Sequence, residues 1–368
     1  MNNTFKSFYQ GKTVLVTGDT GFKGSWLVIM LLQLGAKIIG YSLPPRTAKD
    51  NYVISGLERR ITHITGDIND YPKLLETFQQ YQPKFVFHLA AQAIVRDSYR
   101  EPLTTIQTNI IGTAHLLEAA RQTPSVKTVV IITSDKCYQN NEWIYGYREN
   151  DPLGGKDPYS ASKAAAEIII ASYRQSFFIQ ANTAAIASVR TGNVIGGGDW
   201  APYRIIPDCI RALQNNSAIL VRNPEAIRPW QHVVEPLYGY LMLGSILYTE
   251  GKQYSGAWNF GPLSKNAIPV KRLVAEIIRQ WGSGDYQVAS GPNRNSEAEI
   301  LQLDISKAIN QLNWFPVLNF EQTVKWTVDE YRVDRLSAAE VFQQRTAHIN
   351  DYFQLQQKFG ESCLSPVK

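Results

Sequence analysis

Short apolar runs rich in β-branched residues alternate with amphipathic stretches through the first half of this chain. This alternation constrains the fold most, because a continuous apolar run of ~4–8 residues is typical of a strand buried on both faces. The predicted strands are residues 13–17, 37–41, 61–65, 85–89, 127–133 and 183–189. The predicted helices between them are residues 23–34, 71–80, 102–122 and 158–175. Such βα units predict an α/β fold with a doubly wound parallel sheet of the Rossmann type.

After residue 190 the sequence becomes rich in Gly, Pro, Trp and Arg, which is typical of a loop-rich cap. Helices are predicted at 234–248, 271–281 and 321–345, and the strand-like run 257–260 is expected to return to the main sheet. The two lobes should therefore interleave. The expected division is a dinucleotide-binding domain at 1–190 plus roughly 232–262, a substrate-binding lobe at roughly 191–231 and 263–350, and a polar tail at 351–368 that is frayed beyond Leu355.

The composition excludes several classes of protein. The 368 residues include 37 basic and 32 acidic side chains, and the basic ones are dispersed, which argues against a nucleic-acid partner. We expect no membrane partner, because no apolar run reaches the ~18 residues of a membrane span and the start lacks a secretion signal. Three scattered cysteines and five histidines show no metal-ligand spacing, so we expect a cytoplasmic protein without a metal or a disulfide framework.

A glycine-rich motif, GDTGFKG at residues 18–24, follows the first predicted strand and opens the first predicted helix. Glycines at this point let backbone N–H groups approach a pyrophosphate at a helix N-terminus. The alternative is a tight strand-to-helix turn, but the strand-turn-helix context favours a dinucleotide site. The residues predicted to form it are Gly18, Thr20, Gly21, Phe22, Lys23 and Gly24.

The acidic residue that usually binds the adenine ribose, ~20 positions after the glycines, is missing. The chain has Tyr41 there, and Arg46 follows. Arg46 could favour a 2′-phosphate, or it could stack on adenine or be solvated, so the residues alone leave NAD and NADP open. Asp67 and Ile68 are expected at the adenine edge, although Asp67 could instead cap a turn after its strand.

Tyr159 and Lys163 form a second constellation. Asp157 and Pro158 precede them in the pattern of a helix N-cap followed by Pro at the first helical position, so the pair should share one helical face. A lysine ammonium beside a phenol lowers the pKa of the phenol, which would let Tyr159 act as a base toward a sugar hydroxyl while Lys163 holds a ribose. The pair is frequent by chance, but the glycine motif upstream makes the interpretation specific.

Together these motifs resemble the extended short-chain dehydrogenase/reductase family, in its branch that modifies nucleotide sugars. The resemblance is carried by the three glycines, Leu89-Ala90-Ala91-Gln92, Asn109, Ser134, and Tyr159 with Lys163. The stretches GFKGSW (21–26), SDKCY (134–138), GYRE (146–149) and LGGKDPYS (153–160) resemble, more narrowly, the subfamily that dehydrates CDP-glucose. The resemblance extends from about residue 11 to about residue 326.

The resemblance implies a lyase with retained NAD, held also by Leu89, Ala90, Ala91 and Asn109. It implies conversion of CDP-D-glucose to CDP-4-dehydro-6-deoxy-D-glucose for deoxysugar and O-antigen biosynthesis, by C4 oxidation, loss of water across C5 and C6, and hydride return to C6. A homodimer or homotetramer is expected. The alternatives are another sugar-nucleotide dehydratase or a 4-epimerase, acting on a dTDP-, GDP- or UDP-hexose, and a non-enzymatic dinucleotide-binding regulator.

The resemblance also assigns roles near residue 134. Ser134 would bind the sugar 4-oxygen, and Asp135 would be the acid for the departing 6-hydroxyl unless it only caps a helix. Lys136 stands where related dTDP-glucose dehydratases have the Glu taken as the C5 base. A free lysine is a poor base at neutral pH, so Lys136 is either a perturbed base, an electrostatic stabiliser of the enolate, or an ion-pair partner of Asp135 or Glu142.

Several side chains are candidates for the nucleotide-sugar substrate because the Arg guanidinium binds diphosphate bidentately. The candidates are Gln92, Arg190, Asn193, Arg204, Arg228 and His232. Arg228 matches the diphosphate-contact region of the family best, whereas Arg190 and Arg204 have an interlobe salt bridge as the alternative. His88, inside a buried strand, is expected to be a hydrogen-bonded core residue.

Overall fold

Seven parallel strands form the central sheet of the computed structural model, which describes residues 7–263, 267–289 and 300–364. The strands of the described residues are β1 (Thr13–Thr17), β2 (Lys37–Ser42), β3 (Thr62–Thr65), β4 (Phe85–His88), β5 (Thr128–Ile132), β6 (Ala185–Thr191), β7 (Val194–Ile195), β8 (Ile219–Val221), β9 (Ile227–Pro229), β10 (Gln231–His232), β11 (Gly256–Phe260), β12 (Ala267–Pro269) and β13 (Tyr286–Val288). The order in the central sheet is β3-β2-β1-β4-β5-β6-β11.

This sheet confirms the predicted doubly wound Rossmann-type fold. Every residue of β5 and β6 is buried, as expected for strands covered by helices on both faces. The strand order reverses at β1, which pairs with β2 on one side and β4 on the other. A crevice opens outside the carboxyl ends of the strands at such a reversal, and it is the place where doubly wound folds bind ligands. The run expected to return to the sheet is β11, which pairs with β6.

Helices cover the sheet and build the second lobe. They are α1 (Phe22–Gln33), α2 (Asn51–Ile54), α3 (Tyr71–Tyr81), α4 (Val95–Arg100), α5 (Pro102–Ile106), α6 (Gly112–Arg121), α7 (Pro158–Ser176), α8 (Ile205–Gln214), α9 (Val234–Thr249), α10 (Val270–Trp281), α11 (Phe320–Tyr331) and α12 (Ala338–Leu364). Among the described residues, no helix combines the length and apolarity needed to cross a membrane. The predicted helix 102–122 is interrupted by a π-helical segment, Gln107–Ile111, which joins α5 to α6.

Three hydrophobic cores hold these layers together. On one face of the sheet α1, α9 and α12 contribute buried side chains such as Trp26, and on the other face α3, α6 and α7 contribute buried side chains such as Ile170. A separate core lies among α8, α10 and α11, with Ile210, Leu273 and Val324 fully buried in it. This third core supports the lobe that stands over the carboxyl ends of the strands.

The prediction of one helix at residues 321–345 was wrong. Helix α11 ends at Tyr331, and α12 begins at Ala338. Ser337 and Glu340 form a capping box, in which the Glu340 amide donates to Ser337 Oγ at 3.3 Å and the Ser337 amide donates to Glu340 Oε2 at 2.7 Å. The S-x-x-E pattern at residues 337–340 therefore marks the start of a new helix, which the prediction from apolar periodicity missed.

The expectation that the polar tail is frayed beyond Leu355 was also wrong for the part of it that the structure describes. Helix α12 continues to Leu364, and Tyr352 on it is fully buried in the core that α1 and α9 share. Gln356 is buried as well, and its side chain donates to the Phe315 carbonyl at 2.6 Å. Apolar side chains spaced along a polar sequence bind this helix to the body of the protein.

Candidate active site

A cleft of about 1810 Å³ opens at the carboxyl ends of the central strands, between the sheet and the second lobe. The predicted site residues that line it are Gly18, Thr20, Gly21, Phe22, Lys23, Gly24, Arg46, Asp67, Ile68, Leu89, Ala90, Ala91, Ser134, Asp135, Lys136, Tyr159, Lys163, Asn193, Arg204 and Arg228. Four predicted site residues do not line it, namely Gln92, Asn109, Arg190 and His232. Within the described residues, no group of His, Cys, Asp and Glu side chains could hold a metal ion.

The glycine motif forms a close backbone cradle at one end of the cleft. Gly18 has φ +75°, and a Cβ atom there would lie 2.7 Å from the Ala90 amide nitrogen. A Cβ atom at Gly24 would lie 2.0 Å from the Gly18 carbonyl oxygen. Gly21 is the N-cap of α1 and supplies no side-chain cap, so the N–H groups of the first turn face the cleft without one. These features fit a dinucleotide diphosphate, which needs close backbone approach and the positive end of a helix dipole.

The region beyond the glycine motif contains no carboxylate at the end of β2. Tyr41 is buried, and its hydroxyl donates to the Asp67 carbonyl at 2.9 Å, so it does not take the place of the missing acid. Thr20 Oγ1 lies 2.9 Å from Ser42 Oγ. Arg46 is exposed on the cleft rim, and Asp67 Oδ1 accepts a hydrogen bond from the Asn69 amide at 2.9 Å, which is the turn-capping contact considered above.

Helix α7 brings Tyr159 and Lys163 to the floor of the cleft. Asp157 caps the helix by accepting from the Ser160 amide at 2.9 Å, and Pro158 occupies the first turn, as predicted. Both Tyr159 and Lys163 are buried. They face the end of β5, where Ser134 begins a short 3₁₀ turn, Asp135–Cys137. The tertiary structure therefore gathers residues that lie 25 positions or more apart in the chain into one cluster.

Burial determines the protonation of this pair. It raises the pKa of Tyr159 to about 12, although a hydrogen bond with Ser134 opposes the shift. It lowers the pKa of Lys163 to about 8. The lowering of the Tyr159 pKa that we expected from Lys163 is not observed, because loss of hydration dominates and the Asp135 carboxyl adds to it. Tyr159 is accordingly a neutral phenol in the free protein near pH 7.

Asp135 lies beside Ser134, whose hydroxyl donates to Asp135 Oδ1 at 3.0 Å. Burial raises the pKa of the Asp135 carboxyl, and the nearby ammonium groups of Lys136 and Lys23 oppose that rise. Burial and repulsion from Arg204 lower the pKa of Lys23 to about 7, which shows that this side chain extends from the glycine motif toward the same cluster. A carboxyl group with a raised pKa is suited to donate a proton.

Lys136 lines the cleft and is half-buried. Its ammonium group lies near enough to Asp135 to oppose the rise of that carboxyl's pKa. Because the side chain lines the cleft, this group is also available to a ligand there.

The side chains of Gln92 and Asn109 make hydrogen bonds within the protein and do not line the cleft. Asn109 Oδ1 accepts from the Gln92 amide at 2.9 Å, and its Nδ2 donates to the Gln92 carbonyl at 3.0 Å and to Ser162 Oγ at 2.9 Å. The Gln92 side chain donates to Thr105 Oγ1 at 2.9 Å. The predicted contacts of both side chains with ligands are thus replaced by a link that holds the loop after β4 against α7.

Arg190 and His232 are buried and do not line the cleft, so the structure does not place them where a substrate residue was predicted. Arg190 donates to Glu167 Oε2 at 2.9 Å and to the Tyr138 hydroxyl at 2.8 Å. His232 Nε2 lies 3.1 Å from Glu330 Oε2. Each basic side chain is hydrogen-bonded to a carboxylate from a distant segment, Glu167 for Arg190 and Glu330 for His232. For Arg190 this is the salt-bridge alternative considered above.

Arg204 lines the cleft and also makes the salt bridge considered as its alternative. Its Nη1 donates to Asp199 Oδ2 at 2.8 Å, and the guanidinium remains 36% exposed. Tyr203 has φ +65°, an unfavourable backbone for a non-glycine residue, and its hydroxyl accepts from Arg100 Nη2 at 3.1 Å. Tyr203 directly precedes Arg204, which is the N-cap of α8.

His88 is the hydrogen-bonded core residue that we expected. Its Nδ1 lies 2.7 Å from Thr17 Oγ1, and its Nε2 lies 3.3 Å from Thr113 Oγ1. Burial lowers its pKa to about 3, so the ring is neutral.

The cleft residues that the sequence analysis did not name include Asp208, Leu220 and Arg222. Asp208 follows Arg204 by four positions in α8, which is the spacing of one helical turn. Leu220 alternates with the buried residues Ile219 and Val221 of β8. The alternation and the four-residue spacing are visible in the sequence. Neither indicates that α8 and β8 lie at the same cleft.

Comparison with known proteins agrees with this geometry. The family model described as GDP-mannose 4,6 dehydratase matches residues 15–327. The chain is 48% identical, over 329 residues, to a protein from Salmonella typhimurium named CDP-glucose 4,6-dehydratase, covering 87% of this chain and 92% of that protein.

Two solved structures share the fold. One is the dTDP-glucose 4,6-dehydratase of Bacillus anthracis in complex with NAD, with a TM-score of 0.74, 22% identity, and coverage of 91% of this chain and 100% of that chain. The other is the UDP-glucose 4-epimerase of Thermus thermophilus in complex with NAD, with a TM-score of 0.74, 24% identity, and coverage of 88% and 99%.

Proposed function

Since the chain belongs to the GDP-mannose 4,6-dehydratase family, we propose that it is an NAD-dependent hydro-lyase that converts CDP-D-glucose to CDP-4-dehydro-6-deoxy-D-glucose. The observation that carries the proposal is Asp135, a buried carboxyl group with a raised pKa beside Ser134 and in the same cluster as Tyr159. Loss of a hydroxyl as water requires such an acid. Inversion at C4 does not.

NAD, when bound, supplies the hydride acceptor that makes C4 oxidation possible and returns that hydride to C6. The cradle of Gly18, Gly21 and Gly24 fits its diphosphate, because side chains at Gly18 and Gly24 would occupy the space of neighbouring backbone. The other residues proposed to hold NAD are Thr20, Phe22, Lys23, Arg46, Asp67, Ile68, Leu89, Ala90, Ala91, Tyr159 and Lys163. Asn109 would act indirectly, through the loop after β4.

Tyr159 would accept the proton of the sugar 4-hydroxyl. Because burial holds its pKa near 12 in the free protein, the phenolate must be stabilised by positive charge once the cleft is filled. Lys163 lies on the same face of α7, one turn on, and can supply that charge. Ser134, which is hydrogen-bonded to Asp135, would donate to or accept from the same sugar oxygen.

Asp135 and Lys136 would carry out the elimination. The C5–H bond is acidified by the 4-ketone; when its proton leaves, the electron pair forms the C5=C6 bond and the 6-hydroxyl departs with a proton from Asp135 as water. Lys136, which lines the cleft, would either take the C5 proton as a neutral amine or stabilise the enolate as an ammonium group. The first role places the amine at C5, and the second places the ammonium group at the 4-oxygen, which carries the negative charge of the enolate.

Arg204, Arg228 and Asn193 would bind the diphosphate of the substrate. All three line the cleft on the side of the second lobe. Arg204 keeps a partly exposed guanidinium while Asp199 holds one of its nitrogens, so the side chain is oriented before the ligand binds. Preorganisation of this kind reduces the entropy cost of binding an anion.

We also propose a homodimer or homotetramer and a cytoplasmic location. The adjacent helices α5 and α7, with the π segment between α5 and α6, expose Leu103, Ile106, Ile111 and Ile168, an apolar face that a second copy could cover. Cys137 and Cys209 are free thiols, which suits a reducing compartment. Light scattering of Ile168→Asp against the wild type would test the assembly, since loss of the oligomer is expected.

The test of the function is incubation of the pure protein and NAD with CDP-, dTDP-, GDP- and UDP-hexoses. We expect a 4-keto-6-deoxy product from CDP-glucose and no net rise of NADH, because the hydride leaves and returns within one turnover. NADH that accumulates in step with product would contradict the closed cycle. Inversion at C4 without loss of water would replace the proposal with an epimerase.

A further inference from the structure

Among the cleft residues of the second lobe to which the chemistry above gives no role are Asp208, Leu220 and Arg222. They come from α8 and from β8 with its following residue. The adjacent Arg204 is proposed to bind the diphosphate and lies one helical turn before Asp208. The nucleoside that is joined to the diphosphate of a bound nucleotide sugar can therefore extend toward these three side chains.

Leu220 provides an apolar surface in a polar part of the cleft. Its neighbours Ile219 and Val221 are buried, whereas Leu220 is 62% exposed and lines the cleft. Arg222, directly after the strand, is also exposed and lines the cleft. An exposed leucine beside a guanidinium group suits the flat apolar face and the polar edge of a nucleobase.

Asp208 and Arg222 offer a matched acceptor and donor. Asp208 Oδ1 accepts from Arg211 Nη2 at 2.7 Å, which orients the carboxylate. Its Oδ2 accepts no hydrogen bond from the described residues; it forms a long salt bridge with Arg222 Nη2 at 3.9 Å, too far for a hydrogen bond. One carboxylate oxygen and the Arg222 donors thus remain available side by side.

We propose that Asp208 and Arg222 read the edge of a cytosine base that lies against Leu220. Cytosine presents an N4 amino donor beside its N3 acceptor, and carboxylates accept from cytosine N4. Asp208 Oδ2 would accept from N4, and Arg222 would donate to N3 or O2. Uracil and thymine present an O4 acceptor instead, which would face the carboxylate and be repelled. The inference rests on the proposed function, and it identifies Asp208 and Arg222 as the residues that determine which nucleobase the protein prefers.

The test is equilibrium binding of CDP, UDP and dTDP to the protein and to Asp208→Asn by titration calorimetry. The wild type should bind CDP at least about tenfold more tightly than UDP, because one well-formed base contact gives discrimination of that order. Asp208→Asn should reduce the ratio of the UDP to the CDP dissociation constant about tenfold, since an amide can donate to uracil O4. Arg222→Met should weaken CDP binding more than UDP binding.

The matched control is Glu321→Gln, which removes an exposed carboxylate that lies 3.5 Å from Arg272 Nη2 and does not line the cleft, and it should leave the ratio unchanged. If Asp208→Asn keeps the wild-type ratio of the UDP to the CDP dissociation constant, and CDP-glucose is still the preferred substrate, the base-reading role alone is overturned. Preference of the wild type for UDP or dTDP, with turnover of the matching hexose, would overturn both this inference and the proposed substrate.

Discussion

Arg190 donates to Glu167 across 2.9 Å, and the two side chains are each only 4% exposed. Glu167 lies one helical turn after Lys163 and two turns after Tyr159, so the three share a face of α7. Besides Arg190 on β6, the Glu167 carboxylate accepts from Ser188 Oγ on that strand at 2.7 Å and from Thr133, next to Ser134. One buried carboxylate thus fastens the helix of the proposed base to the strands that carry its partners.

Removal of one partner of this pair should destabilise the protein. Arg190→Met leaves the Glu167 carboxylate buried without its charged partner, which typically costs about 3–5 kcal/mol of unfolding free energy. Denaturant unfolding of the variant and of Arg148→Met, whose salt bridge to Asp304 is on the surface, measures the difference. A loss below about 1 kcal/mol for Arg190→Met would show that Glu167 is held by its hydroxyl partners alone.

Loss of the Tyr159 hydroxyl should abolish most of the turnover. Tyr159→Phe removes the proposed proton acceptor, and kcat is expected to fall by ~10² or more with little change in CDP-glucose affinity. Steady-state kinetics and substrate titration separate the two quantities. Tyr173→Phe, on the same helix but packed against the other core, is the control and should keep normal turnover. Near-normal kcat in Tyr159→Phe would return Tyr159 to a structural role.

Asp135→Asn should stop the reaction after oxidation at C4. The amide cannot protonate the 6-hydroxyl, whereas the hydride transfer does not need Asp135. The absorbance of reduced nicotinamide should therefore rise to a plateau of about one per active site when CDP-glucose is added, and it should remain with the protein on gel filtration. Normal product formation by Asp135→Asn would assign the acid to another group.

Two substitutions of Lys136 distinguish a base from a stabilising charge. A direct base predicts that both Lys136→Met and Lys136→Arg block exchange of C5–H with deuterated solvent while C4 oxidation proceeds, because Arg cannot act as a base at neutral pH. A stabilising charge predicts slow exchange in Lys136→Met that Lys136→Arg partly restores. Mass spectrometry of recovered substrate measures the exchange. Wild-type exchange and turnover in both variants would make Lys136 structural.

Stability should decline with rising pH because of Glu235. Burial raises the pKa of this carboxyl from about 4.5 in the unfolded chain to about 8, against hydrogen bonds from the Val317 and Leu318 amides. A carboxyl whose folded pKa is raised contributes its stability fully below about pH 4.5 and loses it as the pH rises through about 8. Unfolding free energies of the wild type and Glu235→Gln should therefore diverge by up to ~1.4 kcal/mol per pH unit between pH 5 and 8. Parallel curves would contradict a raised pKa.

The strands, the glycine cradle and the Tyr159–Lys163 pair could be predicted from the sequence by itself because each depends on neighbours in the chain. A buried strand needs a run of apolar residues, Gly18 needs a positive φ at one position, and Tyr159 and Lys163 meet because they are four residues apart on a helix. The overlooked helix start at Ser337 was of the same local kind, since its capping box lies within four residues.

Only the tertiary structure decided which charged side chains reach the cleft. Arg190 and Arg204 look alike in the sequence, but Arg190 meets Glu167 inside the protein whereas Arg204, held by Asp199, keeps part of its guanidinium in the cleft. His232 is paired with Glu330, 98 residues away. The physical reason is that a buried charge must find an opposite charge to offset its lost hydration, and that partner is determined by how distant segments pack.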